Sequence, residues 1–409
     1  MPERVDTVVI GAGQAGLATS FHLRAFGLEH VVLERGEVGN TWRTERWDGF
    51  YLNTPRWTQA LPGGEYSGSD PEGFSSLEET IAYVDGYARV IAAPVRTGTE
   101  VRGLSVTGGG LRLELDDDAL EAANVVVATG AYQRPTPTAL TESVPADVFK
   151  LHTTAYRRPE QLPDGSVLVV GSGQSGCQIA EELLDAGRRV YLSVGRCPWI
   201  PRRYRGREIV HWLVETGLSD QTVDTLPSPA ARLACNPPVS GNDGGHDCNP
   251  RWLEARGATL LGKVQSFDGQ LVAIAPDLDD SLGFGDEFLA ELVGRIDEFV
   301  ESTGIDVPEE TTAPPAAPRD EPIGRLDLRA AGIGTVLWAN GFRPDYSWIA
   351  APLFDEHGWP VQQRGVTAVP GIYFVGVHWL HKRKSSLLFG VGEDAAHVAA
   401  HIAGGSSSS

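Results

Sequence analysis

The sequence predicts an α/β protein built from two Rossmann-like domains, the second inserted into the first. The prediction depends on a glycine motif, G-x-G-x-x-G, that occurs at residues 11–16 and again at residues 171–176. Each copy follows a short apolar, β-branched run and precedes small and apolar residues at helical spacing, the strand, turn and helix order of a βαβ unit. Because this order occurs twice, the sequence predicts two dinucleotide sites in one chain.

The first unit extends from residue 7 to residue 34. Residues 7–10 are the predicted strand, and the three glycines allow a tight turn, close approach of a pyrophosphate and close helix packing. A second apolar strand ends in Glu34, about 23 residues after Gly11, close to the spacing of a carboxylate that binds ribose. The pyrophosphate is expected at the N-terminus of the helix.

The second unit lacks this acid. Its predicted strands are 167–170 and 190–192, and Ser193 takes the position of Glu34 when the units are aligned. Three arginines follow: Arg196, Arg202 and Arg203. A hydroxyl and guanidinium groups would bind a 2′-phosphate that a carboxylate would repel, although the arginines could also be a solvated surface run. Two dinucleotides, one able to pass electrons to the other, indicate a flavoprotein reduced by NADPH.

The remaining elements divide the chain into two domains. The sequence predicts, in order, a helix at 76–93 capped by Ser76, a hairpin at 101–106 and 111–115, strand 124–129, a hairpin at 258–266 and 270–275, an amphipathic helix at 288–300, strands 335–339 and 371–376, and a helix at 391–402. Residues 1–160 and 341–403 are expected to form the first dinucleotide-binding domain and residues 161–340 the second. The Pro- and Gly-rich segment 227–250 is a predicted lid, 308–322 a surface loop and 404–409 a flexible tail.

Composition limits the classes of function. Among 409 residues the net charge is −20, which argues against a nucleic-acid partner or an anionic membrane surface. No apolar run approaches the length of a membrane span, and a cytoplasmic location is expected. The four cysteines form no C-x-x-C pair, so no redox dithiol is expected. The spacing of Cys235, His246 and Cys248 fits no standard zinc site, and no metal is predicted.

Six motifs in a specific order resemble those of class B flavoprotein monooxygenases, the group that includes flavin-containing monooxygenases and YUCCA-type enzymes. They are G-A-G-Q-A-G at 11–16, G-N-T-W-R at 39–43, A-T-G at 128–130, G-S-G-Q-S-G at 171–176, W-A-N-G-F-R-P-D at 338–345 and P-G-I-Y-F-V-G at 370–376. The resemblance covers nearly the whole chain. It implies FAD at the first glycine motif and NADPH at the second, with a flavin C4a-hydroperoxide that transfers one oxygen atom of O2 to a soft nucleophile or a carbonyl.

The resemblance also implies site residues. His152 and Tyr156 keep the H-x-x-x-Y spacing of the heteroatom-oxygenating branch, whereas Ala146 and Val148 replace the Phe and Gly of the Baeyer–Villiger motif. Asn53 is expected to hydrogen-bond the flavin hydroperoxide or the NADP amide, and these three residues are the catalytic candidates. The cofactor-binding candidates are Gly11, Gly13, Gln14, Ala15, Gly16, Glu34, Arg35, Trp42, Arg43, Thr54, Ala128, Thr129, Gly130, Gly171, Gly173, Gln174, Ser175, Gly176, Ser193, Arg196, Arg203, Asn340, Gly341 and Gly376.

These observations predict an FAD-dependent, NADPH-reduced monooxygenase acting on a nitrogen- or sulfur-containing small molecule, with a homodimer possible. Three alternatives stay open: an NADPH oxidase or reductase that releases peroxide, Baeyer–Villiger-type oxygenation, and a non-catalytic flavin redox sensor. A sensor would need only tight binding, so damage to the second glycine motif should leave it functional. The substrate is not identified by any motif, and the 227–250 segment is expected to select it.

Overall fold

The computed structural model describes residues 2–116, 118–310 and 322–406. Its helices are α1 (Gln14–Ala25), α2 (Asn40–Thr44), α3 (Leu77–Val90), α4 (Leu140–Ser143), α5 (Gln174–Asp185), α6 (Ile209–Glu215), α7 (Pro250–Ala255), α8 (Leu278–Thr303) and α9 (Val391–Ser406). Short 3-10 helices lie at Arg56–Thr58, Thr153–Ala155, Pro159–Gln161, Leu218–Asp220, Val223–Thr225, Pro229–Leu233 and Asn242–Gly244.

The strands of three or more residues are β1 (Glu3–Ile10), β2 (His30–Leu33), β3 (Gly103–Thr107), β4 (Gly110–Glu114), β5 (Ala119–Val127), β6 (Phe149–His152), β7 (Ser166–Val170), β8 (Val190–Ser193), β9 (Thr259–Leu261), β10 (Val264–Asp268), β11 (Leu271–Ile274), β12 (Arg325–Asp327), β13 (Ile333–Trp338) and β14 (Ile372–Phe374). Two-residue strands lie at Ala60–Leu61, Gly64–Glu65, Val95–Arg96, Arg134–Pro135, Arg203–Tyr204, Arg207–Glu208, Val239–Ser240, His246–Asp247, Phe342–Arg343, Ile349–Ala350, Gln362–Gln363 and Val366–Thr367.

The first sheet is mixed. Its central strands β2, β1 and β5 are parallel, with Val8 opposite both Val31 and Val125. The antiparallel strands β4 and β3 continue the sheet beyond β5, which confirms the predicted hairpin. β5 is longer than the predicted 124–129 strand because its first half pairs with β4 and its last three residues pair with β14. The chain thus returns to the first sheet after residue 340.

The second sheet is entirely parallel, in the order β6, β13, β7, β8, β9. β6 pairs with β13 from Phe149 to His152, so the predicted boundary at residue 160 is wrong for this strand: it precedes the boundary but belongs to the second sheet. The predicted strand 258–266 is also wrong, because β9 extends the parallel sheet whereas β10 pairs antiparallel with β11. The two strands are separated at Gly262, where an added Cβ would lie 2.0 Å from the Ala275 carbonyl oxygen.

Three helices test the sequence-based boundaries. α3 begins at a capping box, in which the Glu79 N–H donates to Ser76 Oγ at 3.2 Å and the Ser76 N–H donates to the Glu79 carboxylate at 2.9 Å, as predicted from Ser76. α8 begins ten residues before the predicted helix, since acidic residues mask its apolar stripe there. α9 continues to Ser406, so the tail predicted from residue 404 is wrong for its first three residues, and the rest lies outside the described residues. Residues 311–321 of the predicted surface loop also lie outside them.

The two sheets are joined where their strands end. Arg134–Pro135, which follows β5, pairs antiparallel with Phe342–Arg343, which follows β13. One hydrophobic cluster is shared by the two sheets. It contains Val9 of the first sheet, Val169 of the second, and Ala395 and Val398 of α9. The carboxyl ends of β1 and β7 therefore lie in one continuous body, and this arrangement positions the two glycine motifs.

Candidate active site at the paired glycine turns

The first glycine turn requires glycine at its outer positions and leaves the middle one open. Gly11 has φ +104°, and a Cβ there would lie 2.6 Å from the Ala128 carbonyl oxygen. A Cβ on Gly16 would lie 1.8 Å from the Gly11 carbonyl oxygen. At Gly13 an added Cβ would meet no heavy atom within 4 Å, and no side chain caps the N-terminus of α1. The first turn of α1 thus presents backbone N–H groups to open space, which suits a pyrophosphate.

The second glycine turn repeats this geometry at its outer glycines. Gly171 has φ +114°, with its hypothetical Cβ 2.4 Å from the Ala339 carbonyl oxygen, and a Cβ on Gly176 would lie 2.0 Å from the Gly171 carbonyl oxygen. Gly130 and Gly341, each two residues after the alanine that contacts the turn, have φ of +84° and +83°. The A-T-G segment at 128–130 and the A-N-G segment at 339–341 are therefore equivalent: in each, the chain leaves a strand of its sheet beside a glycine turn. Asn340 of the second segment takes the position of Thr129 in the first.

Glu34 and Arg35, which follow β2, make different contacts. Glu34 is buried, and its two carboxylate oxygens accept hydrogen bonds from the Ala12 N–H at 2.8 Å and the Gly36 N–H at 3.0 Å. Each oxygen keeps a further lone pair, so the carboxylate can also accept from a ribose hydroxyl. Arg35 lies 3.6 Å from Glu45 on the surface.

The segment after β2, residues 39–55, packs Trp47 and Phe50 into the core. Arg43 donates to the Val38 carbonyl at 3.0 Å and pairs with Asp85. Trp42 is half-buried with its ring 5.9 Å from that of Phe50, and it lies under the Arg46 guanidinium. Thr54 Oγ1 accepts from Thr58 at 2.8 Å.

The residues predicted to recognise a 2′-phosphate have different environments in the structure. Ser193 is 3% exposed, and its hydroxyl donates to the Gly262 carbonyl at 3.0 Å and accepts from the Val264 N–H at 3.3 Å, which contradicts a phosphate-binding role. Arg203 donates to the carbonyls of Gly244 and Gly245, each at 2.9 Å.

Arg196 does face open space after β8. It lies over the Phe284 ring and beside Lys263, at a surface cavity of about 510 Å³. The cavity is also lined by acidic residues, one of which, Asp277, lies 3.4 Å from the Lys263 ammonium. Arg196 is thus the predicted phosphate ligand that the geometry leaves available.

A hydrogen-bond chain links the second glycine unit to Asn53, in the segment that follows the first. Its amide donates to Gln174 Oε1 at 2.8 Å, and the Gln174 amide in turn donates to the Val239 carbonyl at 2.7 Å. Ser175 follows Gln174 in the first turn of α5. The buried Arg202 donates to the Asn53 carbonyl at 2.8 Å, pairs with Glu208 and stacks on the Phe74 ring. The structure therefore brings one catalytic candidate against the second glycine motif.

The other two catalytic candidates lie in different environments. His152 ends β6 with its ring edge-on to Phe342 at 5.3 Å, and burial lowers the pKa of His152 to about 4, so the imidazole is neutral near pH 7. Tyr156 is fully buried, and its hydroxyl donates to Glu182 at 2.7 Å. Burial and this carboxylate raise the pKa of Tyr156 above its usual value. These contacts contradict a catalytic role for Tyr156, because no substrate can reach its hydroxyl.

Sequence reasoning missed a cluster of rings where the sheet exits meet. Tyr132, 41% exposed, contacts Phe342 and His378 with ring centroids 5.4 and 4.8 Å away. Ser386 Oγ lies 3.1 Å from His378 Nδ1, and the Ser386 carbonyl accepts from Gln14 at 2.7 Å. Burial lowers the pKa of His378 to about 4.

A signal for this cluster was present in the sequence. Tyr132, Phe342 and His378 each follow, within two residues, one of the left-handed glycines Gly130, Gly341 and Gly376. A Cβ on Gly376 would lie 2.5 Å from the Ala15 Cβ, so the chain that follows β14 passes directly over the first turn of α1. The residue after such an exit is placed at the carboxyl edge of the sheet, where ligands bind in open α/β folds.

The cysteines differ from expectation. Cys197 and Cys235, 38 residues apart in sequence, lie with their Sγ atoms 3.0 Å from each other, a close thiol pair that the absence of a C-x-x-C motif did not reveal. His246 and Cys248 instead contact Glu181 of α5. Across residues 2–116, 118–310 and 322–406 no group of three or more His, Cys, Asp or Glu side chains is arranged to hold a metal ion. Within the same ranges, no helix combines the length and apolarity needed to cross a membrane.

Comparisons with known proteins agree with this geometry. Residues 8–218, a little over half of the chain, match the family model described as pyridine nucleotide-disulphide oxidoreductase. An oxidoreductase of Geobacillus kaustophilus named CzcO-like is 32% identical over 97% of this chain and 98% of its own length. The indole-3-pyruvate monooxygenase YUCCA1 of rice (Oryza sativa subsp. japonica) is 31% identical over 46% of this chain and 47% of its own.

A similar solved structure is that of a flavin-containing monooxygenase from Stenotrophomonas maltophilia. It is 21% identical, superimposes with a TM-score of 0.67 and covers 99% of both chains. The two-domain α/β fold and the resemblance to flavoprotein monooxygenases predicted from the sequence are thereby confirmed. The chain is an oxidoreductase that belongs to the pyridine nucleotide-disulphide oxidoreductase family.

Proposed function

We propose that this protein is an FAD-dependent monooxygenase, reduced by NADPH, that inserts one oxygen atom of O2 into a small molecule, with oxygenation at nitrogen or sulfur favoured. The observation that carries the proposal is the pair of glycine turns at the carboxyl edges of two adjoining sheets, with Asn53 of the first domain donating to Gln174 of the second turn at 2.8 Å. A chain that binds two dinucleotides at such turns can pass hydride from one to the other.

The first turn fits FAD. The space beside Gly13 is open, the N-terminus of α1 has no side-chain cap, and Glu34 has acceptor capacity left for a ribose. Gly376 brings the last strand exit onto Ala15, so His378 and Tyr132 lie beside the same helix terminus. FAD, when bound, supplies the redox chemistry: it accepts hydride from a nicotinamide and activates O2 for oxygen transfer.

The second turn fits NADPH at its glycines and at Arg196. The backbone N–H groups at the start of α5 can hold a pyrophosphate once the segment around Cys235, which contacts Gly173, moves aside. Arg196, three residues beyond β8 at the edge of the 510 Å³ cavity, can pair with a 2′-phosphate that Ser193 cannot reach. The proposal includes the domain division predicted from the sequence, with β6 reassigned to the NADPH-binding domain. It also includes assembly as a homodimer.

The side chains between the turns have the roles that their contacts allow. The Asn53 amide is a donor that can orient a nicotinamide amide or a reacting oxygen. His152 and His378, both neutral near pH 7, can accept or donate one hydrogen bond without placing positive charge in the cleft. The rings of Tyr132 and Phe342 contact each other at the edge of the site and can limit the access of water there, which would reduce side reactions during oxygen transfer.

The proposal is tested by oxygen transfer. The purified, FAD-loaded protein is given NADPH, isotope-labelled dioxygen and a panel of amines, thioethers and ketones, and products are analysed by mass spectrometry. We expect one labelled oxygen atom in an amine or thioether product, with NADPH consumed in proportion. Labelled peroxide as the sole product across the panel would favour an oxidase, and a labelled ester from a ketone would favour Baeyer–Villiger chemistry. Absence of any reduction by NADPH would favour a redox sensor.

A further inference from the structure

Cys197 and Cys235 form a thiol pair beside the second glycine turn. Cys197 lies four residues after β8, and Cys235 lies just beyond the 3-10 helix Pro229–Leu233, in the segment 227–250. Their sulfur atoms are 3.0 Å apart, and both cysteines are free. A disulfide bond requires a separation of about 2 Å, so closing the pair needs a movement of about 1 Å.

The two thiols have different environments. Cys235 is half-buried, whereas Cys197 is buried. The hydrogen bond from Cys197 lowers the pKa of the Cys235 thiol, and the same contact together with burial raises the pKa of Cys197. Cys235 therefore supplies the accessible thiolate and Cys197 the second thiol, the arrangement of a peroxide-sensitive cysteine with a resolving partner.

Cys235 lies on the surface that a nucleotide would use. An added Cβ on Gly173 would lie 3.4 Å from the Cys235 Cβ and 3.9 Å from its sulfur. At the equivalent Gly13 of the first turn, a Cβ added there would meet no heavy atom within 4 Å in the described part of the chain, apart from its sequence neighbours. Four residues later, the Val239 carbonyl accepts from the Gln174 amide at 2.7 Å, and its N–H donates to Gln174 Oε1 at 3.2 Å. Residues 235–239 thus lie across the first turn of α5, where a pyrophosphate would bind.

We propose that Cys197 and Cys235 form a reversible disulfide that locks residues 235–239 across the second glycine turn and so closes the NADPH site. The blocking part of this proposal rests on the proposed function, whereas formation of the disulfide does not. With both thiols free, as in this structure, hydrogen bonds such as those between Val239 and Gln174 hold the segment over the turn without a covalent link, so Cys235 can move away from Gly173 when NADPH binds.

The oxidant is hydrogen peroxide, the product released when a reduced flavin is reoxidised by O2 without oxygen transfer. The Cys235 thiolate attacks one peroxide oxygen; an S–O bond forms, the O–O bond breaks, and the departing hydroxide takes up a proton to become water. Cys197 then loses its proton and attacks the Cys235 sulfur; the S–S bond forms, and the S–O bond breaks with loss of a second water. Two sulfur atoms lose two electrons, and one peroxide becomes two waters. Uncoupled turnover would thereby stop further NADPH consumption.

The test uses the full-length, FAD-loaded protein treated with equimolar hydrogen peroxide. Peptide mapping is expected to show a Cys197–Cys235 linkage, and hydrogen exchange at the amides of Cys235, Asn236 and Val239 is expected to slow. NADP⁺ affinity, measured by calorimetry, should fall by about tenfold or more and recover with dithiothreitol. Cys235→Ser and Cys197→Ser should keep their affinity after peroxide, whereas the matched control Cys248→Ser, whose sulfur contacts Glu181 and not the thiol pair, should respond as the wild type does.

Several results would overturn the proposal. A peptide map with no Cys197–Cys235 linkage refutes the disulfide, and a linkage that leaves NADP⁺ affinity unchanged refutes the lock. Recovery of the thiols with NADPH alone also refutes it, because a closed site cannot accept NADPH and the disulfide would then be an electron acceptor. A reduced wild type that binds no NADP⁺ refutes the proposed function and the blocking role together, while peptide mapping decides the disulfide separately.

Discussion

Replacement of Glu182 by Gln should stabilise the protein at alkaline pH and have little effect at acidic pH. Glu182 of α5 receives the Tyr156 hydroxyl and packs against Gly49, whose hypothetical Cβ would lie 2.4 Å from its oxygen. Burial, followed by the nearby carboxylates of Asp48 and Glu160, raises the pKa of Glu182 from 4.5 to about 7. The folded state therefore holds a proton that the unfolded state has lost between these values.

The sign and size of the effect follow from this shift. Stability from the protonated carboxyl is fully present below about pH 4.5 and is lost as pH rises through about 7. A shift of this size corresponds to at most about 3 kcal/mol, and partial solvent access reduces the expected change to about 1–2 kcal/mol. Gln has no proton to lose and still accepts the Tyr156 hydrogen bond.

Urea unfolding from pH 5 to pH 8 provides the measurement. The free energy of unfolding of Glu182→Gln should equal that of the wild type at pH 5 and exceed it by about 1–2 kcal/mol at pH 8. Glu301→Gln, at the exposed end of α8, is the matched control and should show no such slope. A constant difference between Glu182→Gln and wild type across this range would refute the reasoning.

Three further substitutions test the site. Arg196→Ala should raise KM for NADPH by about tenfold and KM for NADH by less than about twofold; equal effects would remove Arg196 from 2′-phosphate recognition. Arg202→Met should lower the free energy of unfolding by about 3 kcal/mol because it leaves Glu208 buried without its partner, and adding Glu208→Gln should restore part of the loss; no restoration would contradict the pair. Asn53→Ala should leave anaerobic reduction by NADPH within about threefold of wild type but increase peroxide per NADPH consumed; unchanged coupling would exclude Asn53 from the reacting centre.

The sequence predicted those features that depend on local geometry. The glycine motifs specify their turns because Gly11 and Gly171 need positive φ and because Gly16 and Gly176 approach the backbone too closely for any side chain. The Ser76 cap was equally local. The length of β5 and the splitting of segment 258–266 were not predictable, since strand partners distant in sequence decide both.

The site shows the same division. Asn53 was selected by resemblance, but its contact with Gln174 depends on how the two domains pack. Ser193 and Tyr156 were misjudged because an equivalent position or a motif spacing does not reveal whether a hydroxyl is already bonded to a buried partner. The Cys197–Cys235 pair was missed because the C-x-x-C pattern detects only thiols that are close in sequence.

The most direct test of two cooperating dinucleotide sites compares Gly173→Asp with Gly13→Asp. Both glycines are in extended backbone with room for a Cβ, so each variant should fold while placing a carboxylate where a pyrophosphate would bind. We expect Gly173→Asp to retain FAD but lose anaerobic reduction by NADPH on the order of a hundredfold, and Gly13→Asp to lose FAD. Reduction is measured as the loss of flavin absorbance after rapid mixing with NADPH. Reduction of Gly173→Asp at the wild-type rate would contradict the two-site mechanism.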